Sequence, residues 1–282
     1  MFFALLLTSY SVGPIFSIPG LTFSSLYSTI TKPQNFPLCQ SFNKSKTQIW
    51  PVPNTTESSY EENWKCISTL LDTVVYENGT IGSPDGVIIE SNEITKSKIP
   101  YFSDYDNTFR VYYDWIHYYL GINSTFQKLK EKIEYEVGIT PNHEKAIISG
   151  YSLGGNFIRY FLTNYVDDVW KAKYIDSAMF FAAGVDGSFF SSISSSIGKF
   201  FGIVDIESFL SEYHNSPVIR HMPSVYSMFP NFQSHHRNVA FIDGKSIKAS
   251  ELFDEMIKIS DSSNGSLIEF VDKKRKNVSY NF

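Results

Sequence analysis

The stretch SGYSLGGNFI at residues 149–158 constrains the fold of this chain more than any other. It contains a G-x-S-x-G pattern centred on Ser152, between an apolar run and a helical pattern. Hydrolases present a nucleophilic serine on such a sharp strand-to-helix turn, where flanking glycines let strand and helix approach without side-chain clash. The alternative is a Gly/Ser-rich turn without chemistry. We interpret the context as favouring a nucleophile at Ser152.

The flanking segments predict a βαβ unit. KAIISG predicts a buried strand, NFIRYFLTNYVDDVWK a helix, and YIDSAMFFAAG (174–184) a second buried strand. Apolar spacing predicts further helices over 62–76 and 124–138, the latter capped by Ser124. A βαβ order indicates a parallel sheet with right-handed crossovers. We therefore predict a single α/β domain, over 13–282.

The composition narrows the possible functions. Hydrophobic residues make up 43% of the 282 residues and charged residues 19%, so the chain can bury a core. The net charge of −5 argues against a nucleic-acid partner. Aromatic residues reach 16%, which suits either a densely packed core or a surface for apolar ligands.

The N-terminus and the glycosylation sequons favour the secretory pathway. Residues 1–12 are largely apolar and no charge precedes Lys32, as in a signal peptide without its basic region; an N-terminal core strand is the alternative. The Asn-x-Ser/Thr pattern, an acceptor for N-glycans, also occurs repeatedly. The acceptor positions are Asn43, Asn54, Asn78, Asn123, Asn264 and Asn277. In an oxidising compartment Cys39 and Cys66 can pair, although two free buried thiols fit the sequence nearly as well.

Several short stretches, in order along the chain, resemble the lecithin:cholesterol acyltransferase and lysosomal phospholipase/transacylase family. They are SIPGLTFSSL, LCQ, NWKC, PDGV, YDW, GYSLGGNFIRYFL, VWKAKYIDSAMFFAAGVDG and SVYSMFPN. The chain departs from the family in lacking an arginine after YDW and a proline in AAGVDGS. The resemblance implies an α/β-hydrolase with a lid at about 36–66 and a cap-like insertion at about 187–238.

The resemblance also implies a mechanism and its residues. Ser152 is the expected nucleophile, and the backbone N–H groups of Leu21 and Leu153 are the expected oxyanion donors. Cys39 and Cys66 are expected to form the lid disulfide, and Trp50, which we expect on an exposed loop of the lid, to contact lipid. The expected activity is acyl transfer or phospholipase A-type hydrolysis without metal or cofactor. The expected partners are a phospholipid membrane or lipoprotein surface and a sterol, another alcohol or water. The expected location is secreted or lumenal, peripheral on membranes.

The acid and the histidine of the triad are not found in this chain. The family places both beyond the cap, whereas the last histidines here are His235 and His236, and Asp243-Gly244 has no histidine after it. We therefore expect that the C-terminal part of the fold is missing. The alternative function is a truncated, non-catalytic relative that binds lipid or partners. A carboxylesterase using a cap histidine is less favoured; the candidates are His214, His221, His235 and His236.

Overall fold

A computed structural model defines the fold. It describes residues 12–42, 45–51, 57–99, 102–117, 122–185, 187–188, 218, 221–229, 238–242, 244–259 and 262–276. The strands are β1 (Ile15–Ile18), β2 (Leu26–Ile30), β3 (Thr47–Trp50), β4 (Val74–Val75), β5 (Ile81–Gly82), β6 (Val87–Ser91), β7 (Thr95–Lys96), β8 (Thr108–Arg110), β9 (Ala146–Tyr151), β10 (Ile175–Phe181), β11 (Asn238–Ile242) and β12 (Lys245–Lys248). The α-helices are α1 (Glu57–Leu70), α2 (Ile122–Ile139), α3 (Leu153–Tyr160), α4 (Asp168–Tyr174), α5 (Pro223–Ser227), α6 (Leu252–Ile259) and α7 (Ser262–Lys276).

A five-stranded sheet in the order β10-β9-β1-β8-β7 forms the centre of the fold. β10, β9, β1 and β8 run parallel, and only the short edge strand β7 is antiparallel. The carboxyl ends of the parallel strands therefore meet at one edge of the sheet. Parallel pairing of β9 and β10 through α3 and α4 confirms the predicted βαβ unit and an α/β fold.

The helices α2, α3 and α4 pack on one face of this sheet. Phe126 of α2 lies edge-to-face with Phe157 of α3, with ring centroids 4.8 Å apart. Both belong to the same buried cluster as Phe16 of β1 and Ile148 of β9, which are neighbours in the sheet register. Side chains alternate between the two faces of a strand, so the next register pair, Ser17 and Ser149, points to the opposite face.

A second buried cluster brings together the later part of the chain. The cluster contains Tyr226, Phe229, Phe253 and Ile268 from the region of α5, α6 and α7. It also contains Ile81 of β5, which comes from an earlier part of the sequence. β11 and β12 form a separate antiparallel hairpin that does not join the central sheet. Over the described residues, no helix is both long and apolar enough to cross a lipid bilayer.

Several sequence predictions need correction. The predicted helix after the elbow is interrupted by a π-helical turn, Phe161–Tyr165, and restarts where the Asp167 carboxylate accepts a hydrogen bond from the Trp170 N–H. α2 begins at Ile122, before the predicted cap Ser124. β10 was expected to be buried, yet its residues are half-buried or exposed because it is an edge strand of the described sheet.

The structure describes the lid and cap segments only in part. Cys39 and Trp50 lie in described parts of the lid, whereas most of the cap-like segment 187–238 lies outside the described residues. Residues 1–11 of the expected signal peptide also lie outside them. His214, His235, His236 and Asp243 are likewise not among the described residues. The domain boundaries from the sequence therefore stay predictions.

Candidate active site

Ser152 occupies the turn between β9 and α3. Its backbone has φ 52° and ψ −122°, a left-handed region that a non-glycine residue rarely adopts. The Ser152 N–H donates to the Phe181 carbonyl at 2.9 Å, continuing the β9–β10 ladder as the chain turns. Strain of this kind persists where the surrounding structure over-determines it, often at functional sites. The predicted strand–turn–helix geometry around Ser152 is therefore present.

Close backbone approach explains the glycines of the elbow. A Cβ atom on Gly154 would lie 2.3 Å from the Ile18 carbonyl oxygen, and one on Gly150 would lie 2.5 Å from the Gly154 oxygen. Neither backbone position has room for a larger residue. A Cβ on Gly20 would lie 3.0 Å from the Ser152 Cβ, so the loop after β1 directly abuts the serine.

Two backbone N–H groups beside Ser152 are without hydrogen-bond acceptors among the described residues, those of Leu21 and Leu153. Leu153 is the first residue of α3, where helix geometry provides no intrahelical acceptor for its N–H. Leu21 follows Gly20 on the loop that abuts the serine. Both side chains are buried, and α3 places the positive end of its dipole at Ser152.

The loop 19–24 that carries Leu21 is held by donors from the segment after β8. The buried Tyr113 hydroxyl donates to the Pro19 carbonyl at 3.0 Å, and the Trp115 Nε1–H donates to the Ser24 carbonyl at 2.9 Å. Burial raises the Tyr113 pKa well above its ordinary value, with a smaller contribution from the Asp114 charge, so this hydroxyl stays protonated as a donor. The YDW stretch therefore positions the loop beside the serine.

Trp50 contributes a further donor to the same loop. Its Nε1–H donates to the Thr22 carbonyl at 2.7 Å, and its ring packs edge-to-face on Trp115 at 5.2 Å. Trp50 is only 7% exposed, so the expectation that it lies on an exposed loop is wrong. Trp50 is the last residue of β3, which pairs with β2. This pairing directs the Trp50 side chain towards the core. Its contact with lipid stays a prediction.

Cys39 and Cys66 form a disulfide between the segment before β3 and the helix α1. Their Cα atoms lie 5.0 Å apart and both residues are buried. The two free thiols that the sequence left as an alternative are therefore not observed. The disulfide joins residues 27 positions apart and anchors the described part of the lid segment.

A His–Asp cluster lies after β8, and the sequence reasoning missed it. His117 is fully buried; its Nδ1 lies 2.8 Å from Asp114 Oδ2 and its Nε2 lies 3.1 Å from the Asp72 carbonyl. His221 Nδ1 lies 2.7 Å from Asp72 Oδ1. The spacing of Asp114 and His117 by three residues in YDWIH was the available signal.

None of these contacts reaches Ser152. Both ring nitrogens of His117 face acceptors, and the Nδ1 of His221 faces Asp72. His143 precedes β9 and so lies at the opposite end of that strand from the serine. No contact found for these described histidines joins one of them to Ser152. Within the described ranges there is also no group of three or more His, Cys, Asp or Glu residues that could hold a metal ion.

A cleft of about 280 Å³ opens beside the elbow. Tyr151 and Gly20, the immediate neighbours of the serine turn and of Leu21, are part of its wall. Ser17 and Ser149 form its floor, so the cleft lies on the face of the sheet opposite α2 and α3.

One comparison with known proteins, that with sequence models of families, agrees with the resemblance from the motifs. The sequence model of the family described as "Lecithin:cholesterol acyltransferase" matches residues 101–281, which include the serine elbow. One similar solved structure is described as "The crystal structure of Tle4-Tli4 complex", with 12% identity, a TM-score of 0.48 and coverage of 94% of this chain and 71% of that chain. A search of curated proteins returned no match. The family match covers more than half of the chain, and the chain therefore belongs to the lecithin:cholesterol acyltransferase family.

Proposed function

We propose that this protein is a lipid acyltransferase or phospholipase A-type hydrolase that uses Ser152 as its nucleophile. One observation carries the proposal: Ser152 sits at φ 52° on a glycine-flanked turn, against the loop that bears the Leu21 N–H. Family membership supports a lipid ester as the substrate. Within that family the α/β fold is of the α/β-hydrolase type.

The reaction proceeds through an acyl-enzyme. The Ser152 oxygen bonds to the ester carbonyl carbon and gives up its proton to a general base. The oxyanion is held by the N–H groups of Leu21 and Leu153. Each such donor stabilises the transition state by about 3 kcal/mol. The ester C–O bond then breaks, and the lysophospholipid alcohol leaves with the proton. A sterol, another alcohol or water attacks the acyl-serine and regenerates the enzyme.

The general base and its acid partner are not assigned to any described residue. A serine hydroxyl is a weak nucleophile without a base, and loss of a triad histidine lowers the rate by several orders of magnitude. Among the described residues no contact joins a histidine to Ser152, and this observation supports a second candidate function. In that alternative the protein is a non-catalytic relative that binds lipid through the same surface.

A fluorophosphonate probe separates the two functions. We expect covalent labelling of the wild-type protein at Ser152 and none in Ser152→Ala, with Ser149→Ala as a control for serine chemistry next to the elbow. Labelling of the wild type no greater than that of Ser152→Ala would rule out the enzyme proposal. Release of labelled fatty acid from phosphatidylcholine vesicles then tests the substrate class.

We also propose that the protein is secreted or lumenal and acts peripherally on a membrane or lipoprotein surface. The exposed sequons at Asn78 and Asn123 support this route, because both side chains are accessible to a glycosyltransferase. Enzymatic deglycosylation of the protein expressed in secreting cells should reduce its mass. In the proposed function, Trp50 reaches lipid only after its indole leaves the Thr22 carbonyl and Trp115.

A further inference from the structure

The cleft beside Ser152 combines an aromatic wall with two cations. We define the aromatic cleft by six of the residues that line it: Phe23, Lys98, Phe102, Arg110, Tyr151 and Phe181. Phe23 packs edge-to-face on Tyr151 with ring centroids 6.4 Å apart, and Phe102 packs similarly on Phe181 at 6.2 Å. Three of these rings are substantially exposed, Phe23 at 54%, Tyr151 at 41% and Phe181 at 38%. Exposed aromatic side chains gathered at one concave site are typical of an apolar ligand site.

The described residues that line the cleft carry positive charge, although the chain as a whole is negative. Lys98 and Arg110 line it, and no Asp or Glu is among the described residues of its lining. No ion pair joins either cation to a carboxylate in the part of the chain that the structure describes. The Arg110 guanidinium, which has five N–H donors, makes one weak hydrogen bond with described residues, to the Phe23 carbonyl at 3.4 Å.

The two cations reach the cleft from neighbouring strands. β7 pairs with β8, and the ladder continues where the Ser97 N–H donates to the Thr108 carbonyl at 3.0 Å. Because β7 is antiparallel to β8, Lys98 lies just beyond the pairing, beside the amino end of β8, whereas Arg110 ends β8 at the carboxyl edge of the sheet. Arg110 is also the register neighbour of Ser17, which forms part of the cleft floor. The cleft therefore extends along β8, with Arg110 at the end nearer the serine turn and Lys98 towards the other end.

We propose that the aromatic cleft binds a lipid with one apolar chain alongside the aromatic rings and its phosphate on Lys98 and Arg110. Guanidinium and ammonium groups are the usual protein partners of phosphate, and their hydrogen bonds to it are charge-assisted. The choice of phosphate rests on the proposed function, in which the substrate is a phospholipid ester. Because the cleft wall includes Tyr151 and Gly20, a lipid held there lies next to the serine turn.

Equilibrium binding of simple amphiphiles tests the proposal on the Ser152→Ala protein, which removes turnover. Isothermal titration calorimetry below the micelle concentration compares dodecyl phosphate with dodecyl maltoside, sodium dodecanoate and inorganic phosphate. We expect dodecyl phosphate to bind at least about tenfold more tightly than each of the others. Equal binding of the maltoside would overturn the cationic role. Equal binding of dodecanoate would overturn the assignment of the headgroup as phosphate. Equal binding of inorganic phosphate would overturn the role of the apolar lipid chain.

Variants connect the binding to the residues. Lys98→Ala in the same background should reduce dodecyl phosphate affinity about tenfold and leave maltoside affinity unchanged, because Lys98 is exposed and its loss does not disturb the core. Lys96→Ala, an exposed lysine two residues away and outside the lining, should change neither affinity. Phe102→Ala should weaken every amphiphile. Unchanged affinities in Lys98→Ala would overturn the proposal.

The outcome is separable from that of the proposed function. Probe labelling of Ser152 without amphiphile binding would contradict this inference and leave the enzyme proposal standing. Binding without labelling would contradict catalysis and leave the lipid site standing.

Discussion

The buried imidazole of His117 lies between two acceptors, the Asp114 carboxylate at 2.8 Å and the Asp72 carbonyl at 3.1 Å. A neutral imidazole donates from only one nitrogen, whereas the imidazolium donates from both. Burial by itself lowers the His117 pKa, but the Asp114 charge and hydrogen bond, with the Asp72 contacts, outweigh it and raise the pKa overall. Through His117, Asp72, which follows α1, is connected to the segment after β8 that holds the loop beside Ser152.

A raised folded-state pKa predicts the direction of the pH dependence of stability. The contribution of His117 is complete below its unfolded pKa of about 6.5 and is lost as the pH rises through the higher folded value. We expect the free energy of unfolding, from urea titration, to fall as the pH rises from about 6 through the raised folded-state pKa. In His117→Gln this component should disappear, with a loss of about 3 kcal/mol at the acidic end because a buried partner is removed. His143→Gln, an exposed site, is the control; the same pH profile in both variants would contradict the assignment.

The elbow should not tolerate a methyl group at Gly154. A Cβ there would lie 2.3 Å from the Ile18 carbonyl oxygen, in backbone that cannot move aside without displacing β1. We expect Gly154→Ala to lower the free energy of unfolding by about 2–3 kcal/mol. Gly138→Ala in α2, where a Cβ meets nothing within 4 Å, should raise it by about 0.5–1 kcal/mol. Equal effects at the two glycines, measured by urea unfolding, would refute the packing argument.

Removal of the Cys39–Cys66 disulfide should destabilise the lid segment. The bond constrains a stretch 27 positions long, so the double substitution to alanine should cost about 3 kcal/mol. Alanine avoids placing a hydroxyl in two buried positions. Dithiothreitol should destabilise the wild-type protein and leave the double variant unchanged. A reductant-insensitive wild type, or free thiols by mass spectrometry of secreted material, would argue against the bond.

The hydroxyl of Tyr113 should position the loop that carries Leu21. Tyr113→Phe removes the donor to the Pro19 carbonyl and leaves that buried oxygen unsatisfied, at a cost of about 1–2 kcal/mol. If the proposed hydrolysis holds, kcat should fall about tenfold with little change in KM, because the oxyanion donor is misplaced. Tyr112→Phe, at the half-buried neighbour, is the matched control. A Tyr113→Phe enzyme with an unaltered kcat would show that the loop is held without this bond.

The sequence predicts features whose determinants are close together in the chain. The elbow at Ser152 and the βαβ unit around it depend on glycines, apolar runs and turn signals within about forty residues, and these are readable as patterns. The break in the helix after the elbow escaped prediction because Asp167 acts as an N-cap inside a continuous apolar pattern. The exposure of β10 was not predicted, because its run of apolar residues does not show whether the strand is central or at the edge of the sheet.

The sequence by itself determined the family, the candidate nucleophile and the parallel order of the strands on either side of it. Only the tertiary structure decided that Trp50 is buried, that His117 is bound by Asp114 and Asp72, and that Lys98 and Arg110 meet an aromatic cleft beside Ser152. Apart from the Asp114–His117 pair, these contacts join residues far apart in the chain through single hydrogen bonds and side-chain packing. Such long-range pairings have no period or spacing in the sequence, and they arise only when strands and loops from different parts of the chain pack together.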